Sequence, residues 1–351
     1  MPKLLDPIRI GDLDLPNRIF MAPLTRARAT ADTRVPTDIV REYYMQRAGA
    51  GLIIAEATSV DPGGVGYERT PGIWSDEQVQ GWRRVTDGVH ERGGRIFLQL
   101  WHVGRISDPS LLGGALPVAP SAIAARGHVS LLRPKRDYVT PRALERDELP
   151  GIVRAYRQGA VNAQRAGFDG VEIHGANGYL LDQFLQDSAN RRSDDYGGPV
   201  RNRARLMLEV VDACISVWGA QRVAMHLAPR GDAHSMGDSA PLQTFSTVAE
   251  ELGRRKLAFL CAREHAGADR IGPELRRRFG GPFVANEGFD PASAQADLDA
   301  GHCDAVAFGK LYIANPDLVA RIARGADLNA PDPSTFYAGG ATGYTDYPAL
   351  A

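Results

Sequence analysis

A chain of 351 residues with 44% hydrophobic and 24% charged residues is long enough for one large barrel or two ordinary domains, and at this size folding buries about three quarters of the unfolded surface. A formal net charge of −1 leaves no electrostatic footprint for nucleic acid or an anionic membrane, so small-molecule partners are expected. Cys214, Cys261 and Cys303 are odd in number, widely spaced and without a CxxC pair, which reads as reduced thiols in a cytoplasmic protein. The opening MPKLLDPIRIGDL lacks an apolar signal core and no 18-residue apolar run occurs, so neither export nor membrane spanning is expected.

In chain order, residues 4–17 read as two short strands around a Gly-Asp turn, a hairpin suited to closing the bottom of a barrel. Short apolar runs then recur at 18–24, 51–58, 95–102, 170–176, 222–229, 257–264, 282–288 and 304–310. Amphipathic helical stretches lie between them, among others 76–92, 147–167, 199–217, 290–300 and 314–324. Alternating β and α units imply parallel strands, and eight of them predict an α/β fold of the (β/α)8 TIM-barrel type, one domain over residues 1–351. A doubly wound sheet is the alternative, but no GxGxxG follows the first strand. Residues 103–146, after the third strand, are long and rich in Pro, Gly and Ser, the composition of a lid or of a loop carrying its own hairpin. The arginine-rich stretch 274–278 reads as a solvated helix face.

The chemistry concentrates in HGANGYLLDQFLQDSANRRSDDYGG, 174–198, at the C-terminal end of the strand DGVEIH, where barrel enzymes carry their catalytic groups. His174 and Asn177 can each donate to one oxygen, and Tyr179 can deliver a proton nearby. This block, with NRIFMAPLTRARA, QLWHVGRIS, DAVAFGKLYIANPDL and the final GYTDYP, resembles the Old Yellow Enzyme family, closest to bacterial maleimide, enoate and nitrate-ester reductases. The resemblance spans essentially the whole chain. It implies an FMN-dependent ene-reductase: NAD(P)H reduces FMN, hydride reaches the β-carbon of an activated alkene, and Tyr179 protonates the α-carbon.

Carried residue by residue, the resemblance places Ala22, Pro23, Leu24 and Thr25 under the flavin ring, with Ala57 and Gln99 facing its pyrimidine edge. Asn286, Gly288, Gly309 and Lys310 fall on the loops after strands seven and eight, where barrels commonly hold phosphate. Tyr67, Trp101 and Tyr337 match positions that wall the substrate pocket. Each aromatic alone is more often core packing than a substrate selector.

Two positions depart from the family pattern. His226 stands in AMHLAP where the resemblance implies an arginine facing flavin N1, and Lys310 stands where arginine is usual. The expectation is that His226 takes the N1 position and makes flavin reduction pH-dependent near neutrality, with Arg230 as an alternative cation. The same departure motivates a competing reading, a flavin-poor binding protein without redox activity. A metal hydrolase is a third reading, but strand parity turns His102 away from the face of Gln99 and Trp101, and no HxH or carboxylate cluster completes a site, so no metal is expected. A dehydrogenase of α-hydroxy acids would need a late base histidine, and only His265 and His302 follow strand six. The expected assembly is a monomer or homodimer.

Overall fold

The computed structural model describes residues 1–337 and 339–350. Eight strands close into a barrel, Ile19–Met21, Leu52–Ser59, Ile96–Trp101, Gly170–Gly175, Val223–Leu227, Phe259–Arg263, Phe283–Asn286 and Ala305–Phe308, each pairing with its neighbours in chain order. Every pairing is parallel. Seven fall inside the predicted runs and the second exceeds its run by one residue, Ser59, so the TIM-barrel expectation holds.

Alternation along the strands sorts side chains into two cores. Leu98, Leu100, Val171, Ile173, Met225 and Leu260 pack outward against helix residues such as Trp82, Tyr156, Val210 and Phe245. Phe20, Leu52, Ile54, Phe97, Ala224, Phe259 and Cys261 pack with Ile10, Leu13 and Leu15 of the N-terminal hairpin, whose strands Ile8–Ile10 and Leu13–Leu15 pair antiparallel. The hairpin therefore plugs the barrel floor, as its sequence suggests. Strand two carries a register shift between Ala55 and Thr58, so Ala57 packs with the pocket aromatics while the Glu56 N–H donates to the Tyr44 hydroxyl and its carboxylate accepts from Arg26 N–H.

Helices Asp76–Glu91 and Leu149–Arg165 match prediction, the first with a Ser75/Gln78 capping box. The stretch 199–217 divides into Val200–Arg203 and Arg205–Trp218, and 314–324 begins late, at Leu318. Pro316 accounts for the late start: a chain turning at Asn315-Pro316 cannot continue the short helix Lys310–Ala314. Asp38–Gln46 and Pro241–Arg254 are further helices not singled out from the sequence. The segment 103–146 carries a bridge between His128 and Asp137, a small hairpin-like excursion, and a short pairing of Val118–Ala119 with Arg142–Ala143.

Buried Arg26 and Arg28 tie the C-terminal tail across the mouth. Arg26 donates to the carbonyls of Phe336 at 3.1 Å and Gly343 at 2.7 Å, and Arg28 to those of Thr335 and Phe336, both at 3.0 Å. Both guanidiniums lie on the Tyr344 ring, at 4.9 and 4.2 Å from its centroid.

Leu15 is 1% exposed on the barrel floor, so Leu15→Ala is expected to lower stability by about 2–5 kcal/mol. Urea unfolding with an unchanged midpoint would contradict the plug.

Candidate active site

Strands three to six bring a line of polar side chains to the inside of the upper barrel. Gln99 pairs in register with Glu172, and His174 with His226, which in turn faces Cys261. Gln99 Nε2 donates to Glu172 Oε1 at 2.8 Å, and His226 Nδ1 lies 3.3 Å from the same oxygen. Glu172 Oε2 and His226 Nε2 are buried with no protein partner.

A single carboxylate, Glu172, stands with the inward histidines where the sequence suggested no HxH or carboxylate cluster. Ligand atoms of Glu172, His226 and Cys261 all lie within 4.8 Å of one another. Burial and the Glu172 charge push the Cys261 thiol well up, so it is held protonated. Glu172 was legible in one respect: it shares the inward parity of His174, two residues on, in an otherwise apolar strand. His102 lies apart from this group, its Nδ1 accepting from Gly104 N–H at 3.1 Å and its ring against Gly64. Arg230 is not the substitute cation: it is bound by Glu264 at 2.8 Å and by Asp269.

At the next level His174 is buried, and Ala176 N–H donates to its Nδ1 at 3.3 Å. A nitrogen that accepts carries no proton, which assigns the hydrogen of the neutral ring to Nε2. Burial first, then the charges of His226, Arg263 and His234, hold its pKa well below the ordinary imidazole value. His174 is therefore a neutral donor at physiological pH.

Asn177 sits at φ +59°, a left-handed conformation that asparagine tolerates. Its carbonyl lies 2.7 Å from His234 Nδ1, and its Oδ1 accepts from Arg263 Nη1 at 2.8 Å. Gly178, at φ +77°, leaves no room for a side chain, since a Cβ would lie 2.7 Å from Met236 Cγ and 2.8 Å from Ala233 O. Tyr179 follows at the head of the helix Leu180–Leu185, its ring 5.0 Å from that of His174 at 83°.

The Tyr179 hydroxyl is 2.9 Å from that of Tyr67. Burial pushes the Tyr179 pKa up, and the bond from Tyr67 partly opposes this. Tyr67 stacks on Trp101 at 5.6 Å, and Trp101 meets Tyr179 edge-on at 4.9 Å. These rings, with Ala57 and Val103, Ile106, Val129, Leu132 and Tyr138 from the long third loop, form one cluster. The loop thus supports the phenol.

Above Gln99 and His226 opens a cavity of about 670 Å³, within the range of small-molecule and cofactor sites. Ala22, Pro23, Leu24, Thr25, Gln99, His174, Asn177, His226, Asn286, Gly288, Gly309, Lys310 and Tyr337 all line it. Ala57, Tyr67, Trp101 and Tyr179 do not line it and stand in the adjoining aromatic cluster. Arg263, Phe289 and Phe336, not singled out from the sequence, line it too, together with Glu287 and His265. With the Glu172 bond occupying Gln99 Nε2, its Oε1 is left for a ligand. The orphaned His226 Nε2, that amide oxygen and a rim carrying Lys310 fit a flat polar-edged ring with an anionic tail.

A family profile described as NADH:flavin oxidoreductase / NADH oxidase matches residues 3–329. The chain belongs to this family. A probable flavin mononucleotide-dependent alkene reductase of Leishmania infantum is 42% identical over 99% of this chain and 97% of its own length. The Old Yellow Enzyme homologue from Zymomonas mobilis superposes with a TM-score of 0.97 at 46% identity, over 99% of this flavin oxidoreductase and all of that chain. Morphinone reductase in complex with tetrahydroNAD gives 0.96 at 49%, over 100% of this chain and 98% of the other. The resemblance read from the sequence is thus the correct one, and FMN with a nicotinamide reductant is the cofactor set of this enzyme class.

His174 gives a pH signature. Its folded pKa lies below the unfolded value of about 6.5, so the unfolded chain binds the proton first as pH falls. The His174 contribution is fully present above about pH 6.5 and is lost on acidification. Between pH 7.5 and 5.0 the wild type is expected to lose more stability to urea than His174→Asn; equal losses would contradict the assignment.

His226→Arg tests the strand-five departure. A full positive charge about 4 Å from an anion contributes on the order of 4 kcal/mol at an effective dielectric of ~20. On about 30 mV per 1.4 kcal/mol, the variant's flavin midpoint potential is expected to rise by at most about 90 mV. An unchanged midpoint potential would remove His226 from the flavin's surroundings.

Proposed function

We propose that this protein is a cytoplasmic NAD(P)H-dependent FMN ene-reductase acting on activated C=C bonds of enones, maleimides and nitroalkenes, with nitro compounds and nitrate esters as side substrates. The observation that carries the reading is the donor state of His174: Nδ1 accepts from the backbone, and the ring that keeps Nε2–H lines the cavity beside Asn177. Family membership and the similarity to alkene and morphinone reductases support the same chemistry. Buried, unpaired cysteines accord with a reducing compartment, and no helix among the described residues is long and apolar enough to cross a membrane.

FMN supplies reversible storage of two electrons and a hydride, which no side chain can do. Thr25, Gln99 and His226 would meet the polar edge of the ring, Ala22-Pro23-Leu24 and Ala57 would pack beside it, and Asn286, Gly288, Gly309 and Lys310 would hold the phosphate end. His174 and Asn177 bind the carbonyl or nitro oxygen of the substrate. Their two hydrogen bonds strengthen as negative charge develops on that oxygen, the logic of an oxyanion hole.

Tyr179 then gives its phenolic proton to the α-carbon. Burial keeps the phenol protonated over the working pH range, so it serves as an acid. A hydrogen bond donated by Tyr67 stabilises the phenolate left behind. Tyr337, half exposed at the rim, limits substrate size.

Fresh protein is expected to be yellow. Anaerobic NADPH should bleach it, and 2-cyclohexenone should restore the colour; no bleaching with either nicotinamide would sink the enzyme reading and favour a flavin-poor binding protein. Tyr179→Phe is expected to slow the alkene step about 10²-fold or more while flavin reduction by nicotinamide persists. Equal loss in both half-reactions would contradict the proton-donor role. Tyr67→Phe should slow the alkene step by roughly threefold to tenfold, the value of one hydrogen bond.

A further inference from the structure

We infer that Arg263 is a positioning residue for the substrate-oxygen site: it locks the Asn177 side chain with its NH2 group turned toward the ligand. This rests on the reading of Asn177 as an oxygen-binding donor and deepens it. The asparagine amide is close to symmetric in shape, and its two ends differ only in hydrogen bonding, so something must decide which end faces the cavity. A guanidinium has five donors and no acceptor. The end of Asn177 that meets Arg263 Nη1 at 2.8 Å is therefore Oδ1, and Nδ2 is directed elsewhere.

Arg263 is itself held. It is the last residue of the sixth barrel strand, and its Nε is bonded to the Glu287 carboxylate. Among the described residues it is the one arginine that lines the cavity. The Asn177 backbone is fixed independently by His234 at its carbonyl. Side chain and main chain are thus anchored from two different elements, the end of strand six and the loop carrying His234, and the remaining freedom, rotation of the amide by half a turn, is what Arg263 removes. An amide free to turn would present its oxygen to the substrate oxygen for part of the time, a repulsive contact in place of a bond. The Arg263 charge also lies close enough to oppose protonation of His174, which favours the neutral donor form.

The test uses the FMN-loaded enzyme and a saturated ketone, cyclohexanone, whose binding is followed by the change it makes in the flavin absorbance. Asn177→Ala is expected to weaken binding about tenfold and Arg263→Met about threefold to tenfold. In the Asn177→Ala background Arg263→Met should add less than about twofold, because its effect passes through the missing amide. Arg263→Lys, which keeps a cationic donor, should recover most of the affinity, with KM for 2-cyclohexenone following the ketone affinity. Several results overturn the inference: wild-type ketone affinity in Arg263→Met, its full effect persisting without Asn177, or FMN lost from both Arg263 variants, which would place the arginine on the cofactor. If Asn177→Ala binds ketone as the wild type does, the donor role of Asn177 fails and this inference with it; weakening by Asn177→Ala with additive loss from Arg263→Met overturns the positioning role alone.

Discussion

Parallel register between strands three, four, five and six is the constraint on which the site depends. Pairing Gln99 with Glu172, and His174 with His226, sets an amide, a carboxylate and two imidazoles on adjacent strands of one curved wall. A slip of one residue in any strand would turn these groups toward the helices and bring Leu98, Ile173 or Met225 inside. Burial enforces the register, because both faces of each strand are packed: Leu98, Ile173 and Met225 outward, Phe97, Ala224 and Phe259 inward. The hairpin plug completes that inner core, so the floor of the barrel stabilises the geometry of its mouth.

Above this wall, the proposed reacting groups are held by contacts from separate elements. His174 is oriented by the backbone two residues later, whereas Asn177 is held by His234 and Arg263 and Tyr179 by Tyr67. Two loops and the end of strand six thus converge on a six-residue segment. On the proposed mechanism, such cross-bracing would preorganise donors where charge develops, which is where electrostatic stabilisation is most effective. The tail that carries Phe336 and Tyr337 is placed by Arg26 and Arg28, so the rim of the pocket depends on two buried guanidiniums far away in sequence.

The eight strands were legible because each is a short apolar run bounded by helical periodicity, and the hairpin because Gly11-Asp12 separates two alternating pairs. The proposed catalytic group, His174, Asn177 and Tyr179, was suggested by its close spacing in one short segment after the fourth strand. Arg263 was not: its partner Asn177 lies 86 residues away, and nothing near Arg263 in the chain announces that contact. His234 is 57 residues from the carbonyl it meets. Ala57 required a bulge that no pattern in LIIAEATS reveals, and its assignment came from resemblance to a family. Glu172 was within reach of strand parity, and it shows that a lone carboxylate in an apolar strand reports a buried polar partner.

The central claim is that one bound oxygen meets His174 Nε2 and Asn177 Nδ2 while the Tyr179 hydroxyl faces the adjacent carbon. A crystal structure of the FMN-loaded enzyme with cyclohexanone measures this directly. Hydrogen-bond distances of about 2.7–3.2 Å from the ketone oxygen to both nitrogens are expected, with the Tyr179 phenol over the α-carbon. A ketone oxygen bonded to neither nitrogen, or a phenol turned away from the bound ring, would contradict it.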